Sequence, residues 1–234
     1  MNAELKKIIE ESNYIVFFGG AGVSTESGIP DFRSEDGLYR QKYKYPPEQI
    51  LSHTFFEHNP KEFYKFYKEK MLCLSARPNA AHLALASFEK IGKVKSVITQ
   101  NIDGLHQAAG SKNVCELHGS VHRNHCQRCN EFYGSEAILK SDGVPICKKC
   151  GGIIKPDVVL YEEPLDNATV NTAIHHIEKA DTLIIGGTSL AVYPAAGLIE
   201  YFSGKHLVLI NKTPTSADHA AELVIRESIG KVFE

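Results

Sequence analysis

The chain has 234 residues, with 26 lysines and arginines against 28 acidic residues and a formal net charge of −2. Its content of 43% hydrophobic and 23% charged residues is that of a globular protein able to bury one large or two small cores. This balance gives no electrostatic drive towards nucleic acid or an anionic membrane, and no apolar run is long enough to span a bilayer.

Residues 3–12 predict an amphipathic helix with no apolar signal-peptide core, so a cytoplasmic location is expected. Tyr14 to Phe18 is a short apolar run that predicts a buried parallel strand. Glycines and a polar helix start follow it, the layout of a phosphate cradle. After Gly20-Ala21-Gly22 the next glycine is Gly28, which breaks the ordinary dinucleotide fingerprint. Ile29-Pro30-Asp31-Phe32-Arg33 then sets an acid, an aromatic ring and a guanidinium beside the cradle.

From Ser34 to Ala76 the chain is aromatic and without alternation, and reads as a loop followed by inserted helices, one of them over Lys61–Met71. Ala80 to Lys90 predicts a helix ended by Gly92. Val94 to Thr99 predicts a strand running into Gln100-Asn101-Ile102-Asp103-Gly104-Leu105-His106, and Val114 to Leu117 another, leading to His118-Gly119-Ser120. A cysteine module fills 121–155, after which Val158 to Leu160 is expected to resume the sheet. Helices over 167–179 and 193–202 alternate with strands at 182–185, 207–210 and an edge strand at 221–225. Such alternation predicts an α/β fold, a doubly wound parallel Rossmann-like sheet with a smaller inserted helical and zinc-binding part. The expected division is a discontinuous nucleotide-binding domain over 1–33, 76–120 and 156–234, a helical insertion over 34–75, and a zinc module over 121–155.

Ligands of open parallel sheets bind beyond the carboxyl ends of the strands. Four polar segments occupy such positions: Gly19 to Ser27, Gln100 to His106, Gly186 to Ser189, and Asn211-Lys212. A dehydrogenase would carry an acid after its second strand for the adenine ribose; Gln100-Asn101 stands there instead, which disfavours hydride transfer. His118 is of the type suited to take a proton near neutral pH, although one histidine among 11 is more commonly structural. Cys126, Cys129, Cys147 and Cys150 form two C-x-x-C pairs separated by 17 residues, a pattern that places four thiolates around Zn²⁺. With four thiolates the shell is closed, so this zinc is expected to be structural, and neighbouring His122 and His125 are not needed as ligands. Arg123, Arg128, Lys148 and Lys149 decorate the module, but no nucleic-acid partner is expected. Cys73, in an apolar helical stretch, and Cys115, in a strand, read as packing residues.

Together these segments resemble the sirtuins, the NAD-dependent protein deacylases, over nearly the whole chain and in the single-domain bacterial or archaeal form. The resemblance implies that Gly20, Ala21, Gly22, Thr25 and Asp31 belong to the NAD-binding loop, with the pyrophosphate on the glycines. It implies that Phe32 screens the nicotinamide ribose, that Arg33 covers the phosphates or organises the loop, and that 34–47 is a lid. Gln100, Asn101, Ile102 and Asp103 would hold nicotinamide and ribose, and Gly187, Thr188, Ser189, Asn211 and Lys212 the adenosine side. His118 would be the general base, with Asn101 and Asp103 completing the catalytic set. Val159, Leu160 and Tyr161 would pair with an acyl-lysine peptide, although Tyr161-Glu162-Glu163 stands where many relatives have Phe-Gly-Glu. Relatives that remove acidic acyl groups share a Tyr-x-x-Arg pair; here Tyr64 is followed by Tyr67, so neutral acyl groups are favoured, acetyl first. The implied activity is protein-lysine deacetylation that consumes NAD and releases nicotinamide and O-acetyl-ADP-ribose, by a monomer acting on acetyl-lysine proteins or peptides. ADP-ribosyl transfer to protein, or a non-enzymatic NAD- or nucleic-acid-binding zinc module, are the alternatives.

Overall fold

A computed structural model describes residues 2–32 and 37–234. The first helix, α1 (Ala3–Glu11), starts where the Asn2 side chain accepts hydrogen bonds from the N–H groups of Glu4 and Leu5 at 2.9 and 3.2 Å. Strand β1 (Ile15–Gly19) follows, buried along its whole length. Three short helices come next: α2 (Pro47–Ile50), α3 (His53–His58) and α4 (Pro60–Phe66). Then come α5 (Ala80–Lys90), β2 (Val94–Thr99), α6 (Leu105–Ala109) and β3 (Val114–Glu116). A second group follows: β4 (Gly119–Cys126), β5 (Phe132–Tyr133), α7 (Ser135–Leu139) and β6 (Ile154–Val158). The chain closes with α8 (Asn167–Lys179), β7 (Thr182–Gly186), β8 (His206–Ile210), β9 (Leu223–Ile225) and α9 (Ile229–Phe233).

The large sheet is parallel, in the order β3-β2-β1-β7-β8-β9. Side chains alternate across it, so Ile15 and Phe17 of β1 enter one core and Val16 and Phe18 the other. The first core holds Leu5 and Ile8 of α1, Leu85 of α5 and Val232 of α9; the second holds Ala173 and Ile177 of α8. Helices on both faces make the sheet doubly wound, as the alternation of elements predicts. The order reverses at the β1–β7 pair, and that is where a crevice opens in such sheets. A separate three-stranded antiparallel sheet, β5-β4-β6, shares a third core with α2, α3 and α4.

Several local expectations are corrected. After β1 the chain makes two 3₁₀ turns, Ala21–Val23 and Thr25–Ser27, rather than entering an α-helix. Gly28, at φ 81°, and Pro30 close that route, and the Thr25 hydroxyl bonds back to the Gly22 carbonyl at 3.0 Å. The helix expected over 61–71 ends as an α-helix at Phe66 and continues as a π-helical turn, Tyr67–Met71. Cys73 lies beyond that turn and outside any helix. The helix expected over 193–202 is a 3₁₀ segment, Ala195–Tyr201. The strand expected over Val158–Leu160 is β6, shifted earlier, and it pairs with β4 in the small sheet rather than resuming the large one. The proposed boundary at 155/156 therefore falls within a strand.

Candidate active site

The polar segments that follow β1, β2 and β7 meet at the carboxyl edge of the large sheet. The Gly20 N–H donates to the Gly186 carbonyl at 3.3 Å, and the Gly22 N–H to the Gly187 carbonyl at 2.8 Å. A Cβ on Gly20 would lie 2.8 Å from the Thr188 Cβ, and one on Gly22 2.8 Å from the Gly187 Cα. Only glycine lets these two loops close on each other, at the switch point where open parallel sheets bind their ligands. From the neighbouring strand, the Gln100 side-chain amide donates to the Thr188 hydroxyl at 3.1 Å.

At the floor, Asn101, Ser24 and Asp103 form a directional chain. The Asn101 amide donates to the Ser24 hydroxyl at 3.0 Å, and that hydroxyl donates to the Asp103 carboxylate at 2.6 Å. The other carboxylate oxygen accepts from the Leu105 N–H at 2.9 Å. Ser24 is 1% exposed and is a member of this hydrogen-bonded group that sequence reasoning missed. A serine in a glycine loop carries no signal of its own until the loop is placed against Asp103.

His118 sits in the turn between β3 and β4, where the chain passes from the large sheet to the small one. Its Nδ1 lies 3.0 Å from the Gln100 carbonyl, and its own carbonyl accepts from the Val159 N–H at 3.0 Å. A carbonyl only accepts, so Nδ1 carries the proton and Nε2 is the basic atom. Burial lowers the pKa of this imidazole, although the Gln100 hydrogen bond opposes it, so the neutral form prevails at neutral pH.

Behind the floor His82 and His106 meet at 4.7 Å between ring centroids. His82 completes a capping box with Asn79 at the start of α5, and the Asn79 amide donates to the Val23 carbonyl at 2.7 Å and the Ser27 hydroxyl at 3.0 Å. Neither ring nitrogen of His106 has a hydrogen-bond partner among the described residues. Burial, with His82 beside it, pushes the His106 pKa from 6.5 down to about 3. The unfolded chain therefore binds a proton here that the native state refuses between about pH 6.5 and 3. Stability is full above that window and falls as pH drops through it, by about 1.4 kcal/mol per pH unit. In His106→Leu, denaturant unfolding at pH 7 and pH 5 is expected to show a shallower pH slope than wild type by one proton. An unchanged slope would refute the assignment.

The remaining predicted residues are placed as follows. Phe32 packs on Tyr39 at 5.5 Å, and the Asp31 carbonyl accepts from the Leu38 N–H at 2.9 Å. Arg33 and the start of the expected lid, 34–36, lie outside the described residues. Gly187 adopts φ 58° at the crevice, whereas Ser189 and Lys212 are exposed. Asn211 follows β8 and turns its amide onto the Thr213 carbonyl at 2.8 Å. The Val159, Leu160 and Tyr161 N–H groups are all engaged, by His118, Glu163 and Leu51 respectively. The Leu160 and Tyr161 carbonyls accept in turn from the Glu163 and His53 N–H groups, both at 3.0 Å, so an added strand would meet this segment chiefly at the Val159 carbonyl and through side chains. Glu162, at the position of the family's glycine, adopts φ 76°. That left-handed backbone costs about 1–2 kcal/mol for a residue with a Cβ. In compensation the Glu162 carboxylate accepts from the Thr54 N–H at 2.9 Å, and Glu163 joins His53 at 2.8 Å and Lys155 at 3.0 Å.

In the small sheet Cys126, Cys129, Cys147 and Cys150 bring their sulfur atoms within 4.8 Å of one another. The closest pairs, 3.4 and 3.6 Å, approach the ~3.8 Å edge of a tetrahedron with Zn–S bonds of about 2.3 Å, so the set fits zinc. The Arg128 N–H and the Tyr133 hydroxyl donate to two of the sulfurs, as suits thiolates. Three of the four basic residues around this cluster are engaged: Arg123 with Glu116 and Asp157, Arg128 with the Cys150 carbonyl, and Lys149 with Glu131. Among the described residues no helix is long and apolar enough to cross a membrane.

Comparison with known proteins agrees with this geometry. The model of the Sir2 family matches residues 20–194. An "NAD-dependent protein deacetylase" of Clostridium perfringens is 65% identical over 98% of this chain and 96% of its own length. A protein of the same description from Clostridium acetobutylicum is 62% identical over 99% and 96%. A solved Sir2 structure with a deacetylated p53 peptide and 3'-O-acetyl-ADP-ribose superposes with a TM-score of 0.92, at 41% identity, covering 98% of this chain and 94% of that one. A Sir2 structure with p53 peptide and NAD⁺ gives 0.89, at 41% identity, over 100% and 96%. With the facing glycine loops, the histidine and the four-cysteine cluster all in place, the chain belongs to the Sir2 family.

Proposed function

We propose that this chain is an NAD-dependent protein-lysine deacetylase, with His118 as its general base and Asn101 and Asp103 as the groups that orient the nicotinamide end of NAD. The observation that carries the reading is the placement of His118: its Nδ1–H is committed to Gln100, on the same segment that bears Asn101 and Asp103. NAD supplies an electrophilic ribose carbon whose bond to nicotinamide is broken in the reaction. The backbone around Gly20, Ala21 and Gly22 receives the pyrophosphate, and the Thr188 side approaches the adenosine. Ser24 fixes which way the Asn101 amide points, because its hydroxyl is already donated to Asp103. His118 takes a proton from a ribose hydroxyl at Nε2, while Phe32 keeps water from the reacting carbon. The zinc site, filled by four thiolates, has no open position and serves the fold.

The acyl preference is for neutral groups. Tyr64 and Tyr67 are fully buried, and the Tyr64 hydroxyl donates to the Ile154 carbonyl. No guanidinium stands at 67 to meet the free carboxylate of an acidic acyl group. Mass spectrometry of acetyl- and succinyl-lysine peptides incubated with NAD tests both statements. The acetyl peptide should lose its acyl group with one nicotinamide and one O-acetyl-ADP-ribose per turnover, and the succinyl peptide should react at least ~10-fold more slowly. An unchanged acetyl peptide beside an ADP-ribosylated protein acceptor would replace this reading with transfer to protein. The peptide is expected along Val159, Leu160 and Tyr161, and the protein is expected to act in the cytoplasm as a monomer.

A further inference from the structure

Strand β4 is interrupted beside the site. Gly119 pairs with Val158 and Ser120 with Asp157, but the next pair is Asn124 with Pro156. Val121, His122 and Arg123 are therefore extruded as a bulge against a single step of β6. The neck is closed by the Asn124 side chain, which is fully buried and donates to the Val121 carbonyl at 3.3 Å and the Tyr133 carbonyl at 3.2 Å.

Each extruded residue grips a different part of the site. The Val121 N–H donates to the Ile102 carbonyl at 3.0 Å. The His122 Nε2 lies 3.0 Å from the Asp103 carbonyl, to which it donates. Gly104, at φ 71°, makes room for that ring, because a Cβ there would stand 2.7 Å from the His122 Cδ2. Arg123 forks, with Nη1 2.6 Å from Glu116 and Nε 2.7 Å from Asp157. Glu116 stands two residues before His118, and Asp157 two residues before Val159, whose N–H holds the His118 carbonyl. The fork thus ties together the two chain segments that fix the general base. The Glu116 side chain is 8% exposed, so without Arg123 a nearly buried carboxylate would lose its partner.

We propose that this bulge is the positioning element of the site, in which His122 holds the Asp103 turn and Arg123 holds the segments flanking His118. Neither side chain reaches the reacting atoms; both act through residues that do. The inference rests on the deacetylase reading for its kinetic part, whereas NAD affinity measured by calorimetry tests the His122 part without turnover.

His122→Ala should weaken NAD binding and raise the KM for NAD by ~3–10-fold, with a smaller fall in kcat, and His122→Gln, which keeps an N–H donor, should recover part of the loss. Arg123→Ala should lower kcat by ~5–20-fold, and Arg123→Lys, which retains one ion pair, should fall between it and wild type. Because Arg123→Ala strands a carboxylate, the double variant Glu116→Gln with Arg123→Gln serves as a fold-safe control and should show the same fall in kcat. Wild-type turnover in the same assay separates failure of the deacetylase reading from failure of this one. Unchanged kcat, KM and NAD affinity in folded, zinc-loaded variants would overturn the inference. So would losses that merely track the unfolded fraction, with no recovery by the conservative replacements.

Discussion

His118→Ala is expected to lower kcat for deacetylation by ~10²–10⁴-fold, the range over which a positioned general base contributes. NAD affinity should change little, since the crevice is built by the loops after β1 and β7. His118→Asn sharpens the test. Its amide can still donate to the Gln100 carbonyl, so the turn should hold, but it offers no basic nitrogen. The asparagine variant should match the alanine variant in turnover and wild type in melting temperature. The pH profile gives a second handle. Only neutral imidazole can act as base, and burial holds this one below its usual pKa of 6.5. Wild-type kcat should therefore be flat through neutral pH and fall only on an acid limb below about 6.5. Turnover that survives in both variants would remove His118 from the mechanism.

Loss of the metal should have the largest effect on stability. Cys126 and Cys147 are buried in the core that α2, α3 and α4 share with the small sheet. Between the two C-x-x-C pairs lie only β5, α7 and their turns, with Ile138 as the fully buried apolar anchor. Such a segment cannot hold itself together by burial alone. Structural zinc in small modules contributes about 10–16 kcal/mol to folding, most of which ordering four thiolates requires. Cys129→Ser, or exhaustive chelation, is expected to lower the melting temperature by more than ~10 °C, since about 1 kcal/mol corresponds to some 2–4 °C at this size. Activity should disappear with it, because β4 and β6 carry the segments that flank His118. Zinc content, circular dichroism and turnover measured on one sample would decide it. A zinc-free protein with unchanged melting temperature and turnover would show that the cluster is dispensable.

The large sheet was legible because its strands are buried on both faces and read as unbroken apolar runs, as in Val16-Phe17-Phe18 and Leu183-Ile184-Ile185. The cysteine cluster was legible because metal geometry dictates ligand spacing over a short range. What escaped depended on contacts distant in sequence. Ser24 acquires a role only when Asp103, 79 positions away, is folded against it. In Ile154–Val158, Lys155, Pro156 and Asp157 break the apolar run, so the pairing partner β4 decided the strand rather than local propensity. The turns after β1 are rich in glycine and hydroxyl side chains, which compete with continued helix, whereas Ala195–Tyr201 reads as a helix in sequence and nothing local in it announces the 3₁₀ geometry. Nothing in Val121-His122-Arg123 announces a bulge; only the register on both sides of it does.

Glu162 bears on the proposed peptide groove. A glycine at that left-handed position would leave the loop many conformations to lose when substrate arrives. Glutamate narrows them in advance, and its carboxylate clips the loop to the first turn of α3. The entropy of ordering this stretch is thereby met when the protein folds, not when the peptide docks. A peptide groove along this segment, as proposed, would be preorganised: it would give up adaptability towards bulky flanking residues and release more of its contact energy as affinity for those that fit.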